Sequence, residues 1–185
     1  MIYKMRVIAG IAGGRKIASL PGLDVRPTAE KVKEAIFSSI QFDLEGRRFL
    51  DLFAGCGQMG IEALSRGAKS ATFVDNSAVH LKTVKENLAA TGLENDAKVV
   101  CADFASFLAT CSDTFDIAFL DPPYYKGLIA DALLKTCQVM STHGKILCEH
   151  PKEISLPDTV NDFYCYKEYN YGKIVISAYR RKENE

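Results

Sequence analysis

Apolar and polar residues follow two rhythms along this chain. Short, nearly unbroken apolar runs recur as "RFLDLFAG" (48–55), "SATFVD" (70–75), "AKVVCAD" (97–103), "FDIAFLD" (115–121) and "GKILCEH" (144–150). Runs of this length, rich in branched and aromatic residues, predict strands buried on both faces. Between them, "MGIEALSRG" (59–67), "SAVHLKTVKENLAATG" (77–92), "FASFLATC" (104–111) and "GLIADALLKTCQVM" (127–140) carry apolar residues at helical spacing. Ser77 stands where an N-cap is wanted, and Gly67 and Gly92 stand just past helix ends. Strand–helix alternation from 47 to 150 predicts an α/β fold: an open, mostly parallel sheet wound by helices.

The flanks have a different pattern. The tail "DFYCYKEYNYGKIVISAYRR" (162–181) reads as two strands turning at Asn170-Tyr171-Gly172, an antiparallel edge. At the other end, "MRVIAG" (5–10) and "RKIASL" (15–20) predict a β-hairpin joined by the glycine-rich "IAGG". "RPTAEKVKEAIFSSI" (26–40) predicts a helix capped by Thr28, with Val32, Ala35, Ile36, Ser39 and Ile40 on one face. No internal repeat or linker interrupts the chain. We expect one domain over 1–185, with residues 1–42 as a hairpin-and-helix extension and 43–185 as the core.

Composition narrows the classes. The 185 residues are 48% hydrophobic and 25% charged with zero formal net charge, so a uniformly basic nucleic-acid coat is excluded. The charge is uneven: residues 1–40 carry seven cations against three carboxylates, and the remainder sixteen against twenty. An anion is therefore expected at the N-terminal part, although a solvated basic face gives the same count. Six cysteines and three histidines show neither C-x-x-C nor metal-ligand spacing, so no metal is expected. The N-terminus lacks a signal-peptide pattern and no run reaches transmembrane length, which predicts a cytoplasmic protein without a membrane partner.

Two motifs carry chemistry. "DLFAGCGQMG" sets Gly55, Gly57 and Gly60 between a strand and a helix. Such glycines give a tight turn, let a ligand approach backbone, and let helix pack on strand. Asp75 ends the next strand twenty residues on, placed to accept ribose hydroxyls. A dinucleotide would need its pyrophosphate at this helix N-terminus. Asp51, immediately before the loop, would repel a pyrophosphate but pair with an ammonium. S-adenosylmethionine carries an ammonium and a sulfonium and no phosphate, so it is the expected cofactor. Phe53 and Ala54 of the loop and Asn76 after Asp75 join the cofactor-facing set. Asp103 would take the adenine amine and Phe104 would stack on its ring; a helix-capping role for Asp103 fits equally well.

The second motif is Asp121-Pro122-Pro123-Tyr124, closing a buried strand. An exocyclic nucleobase amine is a poor nucleophile, because its lone pair is drawn into the ring. The Asp121 carboxylate and the Pro122 carbonyl would accept its two hydrogens, the prolines would fix that backbone, and Tyr124 would offer a flat face to an unstacked base. Adenine N6, cytosine N4 and guanine N2 pose the same problem, so this motif leaves DNA and RNA substrates open. An NAD-dependent oxidoreductase and a silent nucleotide-binding module remain as readings of the glycine loop alone.

Taken together, "RVIAG…GRKI", "RPTAEKVKEAIF", "FLDLFAGCGQMGIEALSRGA" and "FDIAFLDPPY" resemble the bacterial RsmD family, guanine-N2 methyltransferases of small-subunit (16S) ribosomal RNA. The resemblance covers most of residues 5–127. It implies a Rossmann-like class I methyltransferase fold with a seven-stranded sheet, S-adenosylmethionine as cofactor, and ribosomal RNA or a small-subunit assembly particle as partner; a monomer is expected. It also implies that Thr28 helps close over the cofactor and that the hairpin helps bind RNA; within the basic hairpin Arg15 and Lys16 are expected to touch phosphates, with Arg6, Arg26 and Lys126 as further RNA-binding candidates. The chain departs from the family where Cys56-Gly57-Gln58-Met59 replaces Ser-Gly-Ala-Leu, where Asp75 replaces the commoner Glu, and where Gly13 stands before Gly14-Arg15-Lys16 in place of an Arg.

Overall fold

The computed structural model describes residues 5–19, 30–124 and 127–182. Thr28, Arg26 and Lys126 lie outside the described residues. The strands are β1 (Met5–Arg6), β2 (Lys16–Ile17), β3 (Arg48–Leu52), β4 (Ser70–Asp75), β5 (Ala97–Cys101), β6 (Phe115–Leu120), β7 (Met140–Pro151), β8 (Thr159–Val160), β9 (Phe163–Tyr171) and β10 (Ile174–Arg181). The helices are α1 (Glu30–Ser39), α2 (Gln41–Leu44), α3 (Gln58–Ser65), α4 (Ala78–Thr91), α5 (Phe104–Thr110) and α6 (Ile129–Thr136). The main sheet runs β5-β4-β3-β6-β7-β10-β9-β8, parallel from β5 to β7 and antiparallel beyond. Seven of these strands are the expected ones. The eighth is the two-residue β8, which covers the end of β9.

Alternation within each strand builds two cores. Phe49, Phe73, Phe119, Leu147 and Ile176 face one way, onto α1, α3 and α4. Leu50, Leu52, Val74, Leu120 and Cys148 face the other way, onto α5 and α6. The helix caps follow the sequence signals. Ser77 Oγ accepts from His80 N, and Gly92 ends α4 at φ 68°.

The first core also holds the N-terminal hairpin. Glu62, fully buried on α3, accepts from Ile8 N (2.8 Å), Ala9 N (3.1 Å) and Arg66 Nε (2.7 Å), and pairs with Lys33 Nζ at 3.4 Å. Burial pushes the Lys33 ammonium below its usual pKa, and Glu62 opposes that shift. Ser65 O accepts from Ile11 N, while Ser65 Oγ accepts from Ala12 N and donates to Ala9 O. Gly10 lies so close that a Cβ would stand 1.7 Å from Ser65 O. "EALSRG" is thus the dock for the hairpin as well as a helix end.

Candidate functional site at the carboxyl edge of the sheet

Strand order reverses between β3 and β6, and the crevice beyond their carboxyl ends is the place where open α/β sheets take ligands. The glycine loop enters it directly from β3. Phe53, Gly55 and Gly57 all have left-handed backbone (φ 75°, 55° and 79°). For Phe53 this conformation costs about 1–2 kcal/mol, and it is retained because Phe53 N and Ala54 N both donate to Val74 O. Gly60 has a different reason to be glycine: a Cβ would lie 2.3 Å from the Phe73 ring, so α3 packs against β4 only without one.

Asp51 is 2% exposed, and its Oδ2 accepts from Gly60 N at 2.8 Å. It caps the first turn of α3, whose own N-cap, Gly57, has no side chain to do so. Burial pushes its carboxyl up to about 7; the Gly60 N–H opposes the shift and the Asp75 charge adds to it. Asp75 is also more engaged than its sequence position suggests. Oδ2 accepts from Gly55 N (2.9 Å), while Oδ1 accepts from Ser77 N (2.9 Å) and lies 3.0 Å from His80 Nδ1. That uses three of roughly four acceptor positions on a carboxylate. Asp75 therefore clamps the glycine loop to the start of α4 and keeps about one position for a ligand.

Asp103 is exposed and caps α5 through Ser106 N (3.0 Å); the Ser106 side chain first, and this backbone bond second, hold its carboxyl below the usual range. The Phe104 ring packs against the Phe53 ring with centroids 5.2 Å apart. Asn76 is exposed beside Asp75.

Asp121 follows β6 and is half-buried. Its carboxyl is held well above the ordinary range by burial, by Glu149 and by Asp51. Pro122 is buried, and Tyr124 Oη donates to Glu149 Oε1 at 2.9 Å. Glu149, 3% exposed on β7, is the residue that sequence reasoning missed. Leu120 pairs with Cys148, so Asp121 and Glu149 stand side by side at the same edge. The signal was present in "GKILCEH", a buried strand ending in a carboxylate like "FDIAFLD". Asp51, Asp75, Asp121 and Glu149 all project from the sheet face that carries Phe73, Phe119 and Leu147.

This row of carboxylates decides the kind of ligand. Asp51 and Asp121 are raised partly by neighbouring negative charge, so a cation here is favoured and a phosphate is repelled. Among the described residues, no three His, Cys, Asp or Glu side chains are disposed to hold a metal ion. The ammonium and sulfonium of S-adenosylmethionine fit the row.

The basic hairpin is partly committed to structure. Arg15 Nη1 donates to Thr91 O at 2.5 Å, at the end of α4, and Arg6 pairs with Glu30 at 3.3 Å. Lys16 is exposed. Asn87, also missed, ties the hairpin exit to the glycine loop: Oδ1 accepts from Ala18 N, and Nδ2 donates to Ala18 O and Cys56 O. Of the six cysteines, all free, Cys56, Cys137 and Cys148 are buried.

Comparison with known proteins adds an independent line. The family described as "Conserved hypothetical protein 95" matches residues 5–180. YlbH of Bacillus subtilis (strain 168) is 40% identical over 185 residues, covering 96% of this chain and 100% of that protein. Ribosomal RNA small subunit methyltransferase D of Escherichia coli (strain K12) is 31% identical over 181 residues, covering 97% and 91%. The solved structure of yhhF from Escherichia coli superposes with a TM-score of 0.87 at 30% identity, covering 97% of this chain and 98% of that one.

Proposed function

The chain belongs to the Conserved hypothetical protein 95 family, the RsmD family that its motifs resemble, and on that premise we propose that it methylates the exocyclic N2 of a guanine in small-subunit ribosomal RNA. It is an S-adenosylmethionine-dependent RNA methyltransferase. The carboxylate row supports methylation of an amine held at the switch point, with Asp51 and Asp75 on the cofactor side and Asp121 and Glu149 on the substrate side, and the guanine-N2 assignment rests on the family. No helix among the described residues is long and apolar enough to cross a membrane. We place the protein in the cytoplasm, acting as a monomer and a single unit in which residues 1–42 dock RNA and residues 43–185 carry the chemistry.

Asp51 pairs with the ammonium, the remaining acceptor position of Asp75 takes a ribose hydroxyl, and the backbone of Ala54–Gly57 lines the cofactor. Phe53, Asn76, Asp103 and Phe104 border the same pocket, and Thr28 closes over it. When bound, S-adenosylmethionine supplies an electrophilic methyl group on its sulfonium. Asp121 and the Pro122 carbonyl accept the two N2–H hydrogens and aim the nitrogen lone pair at the methyl carbon. Methyl transfer to N2 would leave positive charge on that nitrogen, and the Asp121 carboxylate is placed to take the N2 proton that then leaves. The Asp121 carboxyl, raised by burial and by Glu149 and Asp51, would be held as an acceptor by a cation bound beside it. Tyr124 holds the extruded base by its ring face, and Pro123 fixes the bend.

The test is mass spectrometry of ribosomal RNA nucleosides from cells with and without the gene. Loss of N2-methylguanosine from small-subunit RNA is expected, with restoration in vitro by the purified protein and labelled cofactor. Unchanged N2-methylguanosine, or label on adenosine or cytidine, overturns the guanine assignment.

A further inference from the structure

We propose that the tip of the β9–β10 hairpin is a second RNA contact, a stacking platform for unpaired nucleotides beside the extruded base, built from Tyr169 and Tyr171 and flanked by Lys152, Lys167 and Lys173. The proposal rests on the ribosomal RNA reading above.

Sheet register sets the position. Glu149 pairs with Ile176, and Ile176 pairs with Tyr169; one step nearer the carboxyl edge, Pro151 pairs with Ile174 and Ile174 with Tyr171. Asp121 is adjacent to Glu149 on the next strand. Tyr169 is therefore in the same transverse row as the Asp121–Glu149 pair, three strand spacings from Asp121, or about 14 Å. Tyr171 is nearer the rim.

Orientation agrees with position. Phe119, Leu147 and Ile176 belong to the first core, and Tyr169 and Tyr171 pack against that same core. Their rings thus rise from the face that carries Asp121. Both are half-buried, supported from beneath and open above. The burial that raises the Tyr171 phenol, with Tyr169 as the next cause, reflects the same closeness of the two rings.

Charge completes the argument. Lys167 Nζ lies 4.8 Å from the centroid of the Tyr169 ring. Lys152 N donates to Lys173 O at 3.0 Å, which joins the β7 exit to the β9–β10 turn and brings two exposed lysines together. Among the described residues, none of these three lysines has a carboxylate within ion-pairing distance, in contrast to Arg6, Lys98 and Lys145. Half-buried aromatic rings interleaved with cations that have no carboxylate partner among the described residues suit single-stranded nucleic acid: rings replace lost base stacking and lysines meet phosphates. A base extruded for methylation leaves neighbours that need such support. With Arg15 engaged at Thr91, the N-terminal hairpin offers fewer free cations than its sequence suggests, and RNA needs contact elsewhere.

The test uses the full chain, labelled cofactor, and small-subunit ribosomal RNA from cells lacking the gene, both as free RNA and as assembled particles. Y169A/Y171A should raise the KM for RNA about tenfold or more with kcat within about threefold. Y169F/Y171F should restore KM, because the ring face is kept. K152A/K167A/K173A should weaken RNA binding and reduce its salt slope by about two to three. Cofactor affinity by calorimetry should remain unchanged in all three. An unchanged KM together with an unchanged salt slope overturns the proposal. Normal binding of free RNA with impaired action on assembled particles also overturns it, by assigning the surface to a ribosomal protein. Failure of the unaltered protein to methylate any ribosomal RNA overturns the parent reading instead.

Discussion

The phenol of Tyr124 donates to Oε1 of Glu149 at 2.9 Å, linking the Asp-Pro-Pro-Tyr segment to the neighbouring strand β7. The bond fixes the orientation of the Tyr124 ring, the proposed platform for the base. Tyr124 is 39% exposed, so without a tether its ring would sample several rotamers. The hydroxyl thus has a positioning role that the motif alone does not show. Tyr124→Phe should raise the KM for RNA about fivefold, the worth of roughly 1 kcal/mol, and Tyr124→Ala about 10- to 100-fold. Steady-state kinetics with saturating cofactor measures both. A wild-type KM for Tyr124→Phe would show that the ring is held by packing alone.

Asp121 differs from Tyr124 in that its proposed partner is the reacting nitrogen itself. Asp121→Ala should lower single-turnover methyl transfer by about 10²–10³, by analogy with loss of one preorganised hydrogen-bonding group in an oxyanion hole. Cofactor affinity should change little, since Asp51 and Asp75 remain. Near-normal transfer would remove Asp121 from the mechanism.

Glu62 and Lys33 test the hairpin dock. Glu62→Gln leaves Lys33, 1% exposed, without its counter-charge, and such breakage of a buried pair costs about 3–5 kcal/mol. Urea denaturation should show that loss, and adding Lys33→Met should recover much of it. A loss below about 1 kcal/mol would mean that water reaches the pair.

Much of this was legible in the sequence. The rhythm of "SATFVD" and the caps Ser77 and Gly92 marked β4 and α4 at their observed ends, because both signals are local. Asp121 was readable because two prolines punctuate it. Glu149 was not, since its meaning depends on β7 lying beside β6, a pairing between distant segments. The second roles of Asp51 and Asp75, as cap and clamp, were hidden for the same reason: each is a bond to backbone brought near only by the fold. Glu62 looked like one more helical residue until the hairpin packed on it. The two-residue β8 has too little pattern to be seen.

Arg15 and Lys16 are adjacent in sequence and should behave differently. Arg15 Nη1 bonds the Thr91 carbonyl at the negative end of α4, so Arg15→Ala should cost about 1 kcal/mol of stability. Lys16 is exposed and should act through phosphate alone, its change to Ala reducing the salt slope of RNA binding by about one with stability unaltered. Thermal melts and binding titrations from low to moderate salt separate the two. An unmoved slope for Lys16→Ala would make it a solvated surface residue.

Asp51 couples pH to both binding and stability. Its carboxyl, pushed up to about 7 by burial, is largely protonated at pH 6 in the free protein. A cation favours the ionised form, so binding there must release a proton. Cofactor affinity should therefore rise by up to about tenfold per pH unit approaching pH 7, then level off. Calorimetry at pH 6 in buffers of different ionisation heat should register that proton, and Asp51→Asn should abolish the release and weaken binding at pH 7.5. The sign for folding is opposite. The unfolded carboxyl titrates near 4, so the native state takes up its proton first as pH falls. The contribution of Asp51 to stability is fully present below about pH 4 and is lost as pH rises through about 7. At pH 8 the ionised group costs up to about 4 kcal/mol relative to a neutral one. Asp51→Asn, which can still accept from Gly60 N, should match the natural protein near pH 4 and exceed its stability at pH 8. A variant less stable at pH 8 would show that capping α3 with a full charge outweighs the cost of burying it.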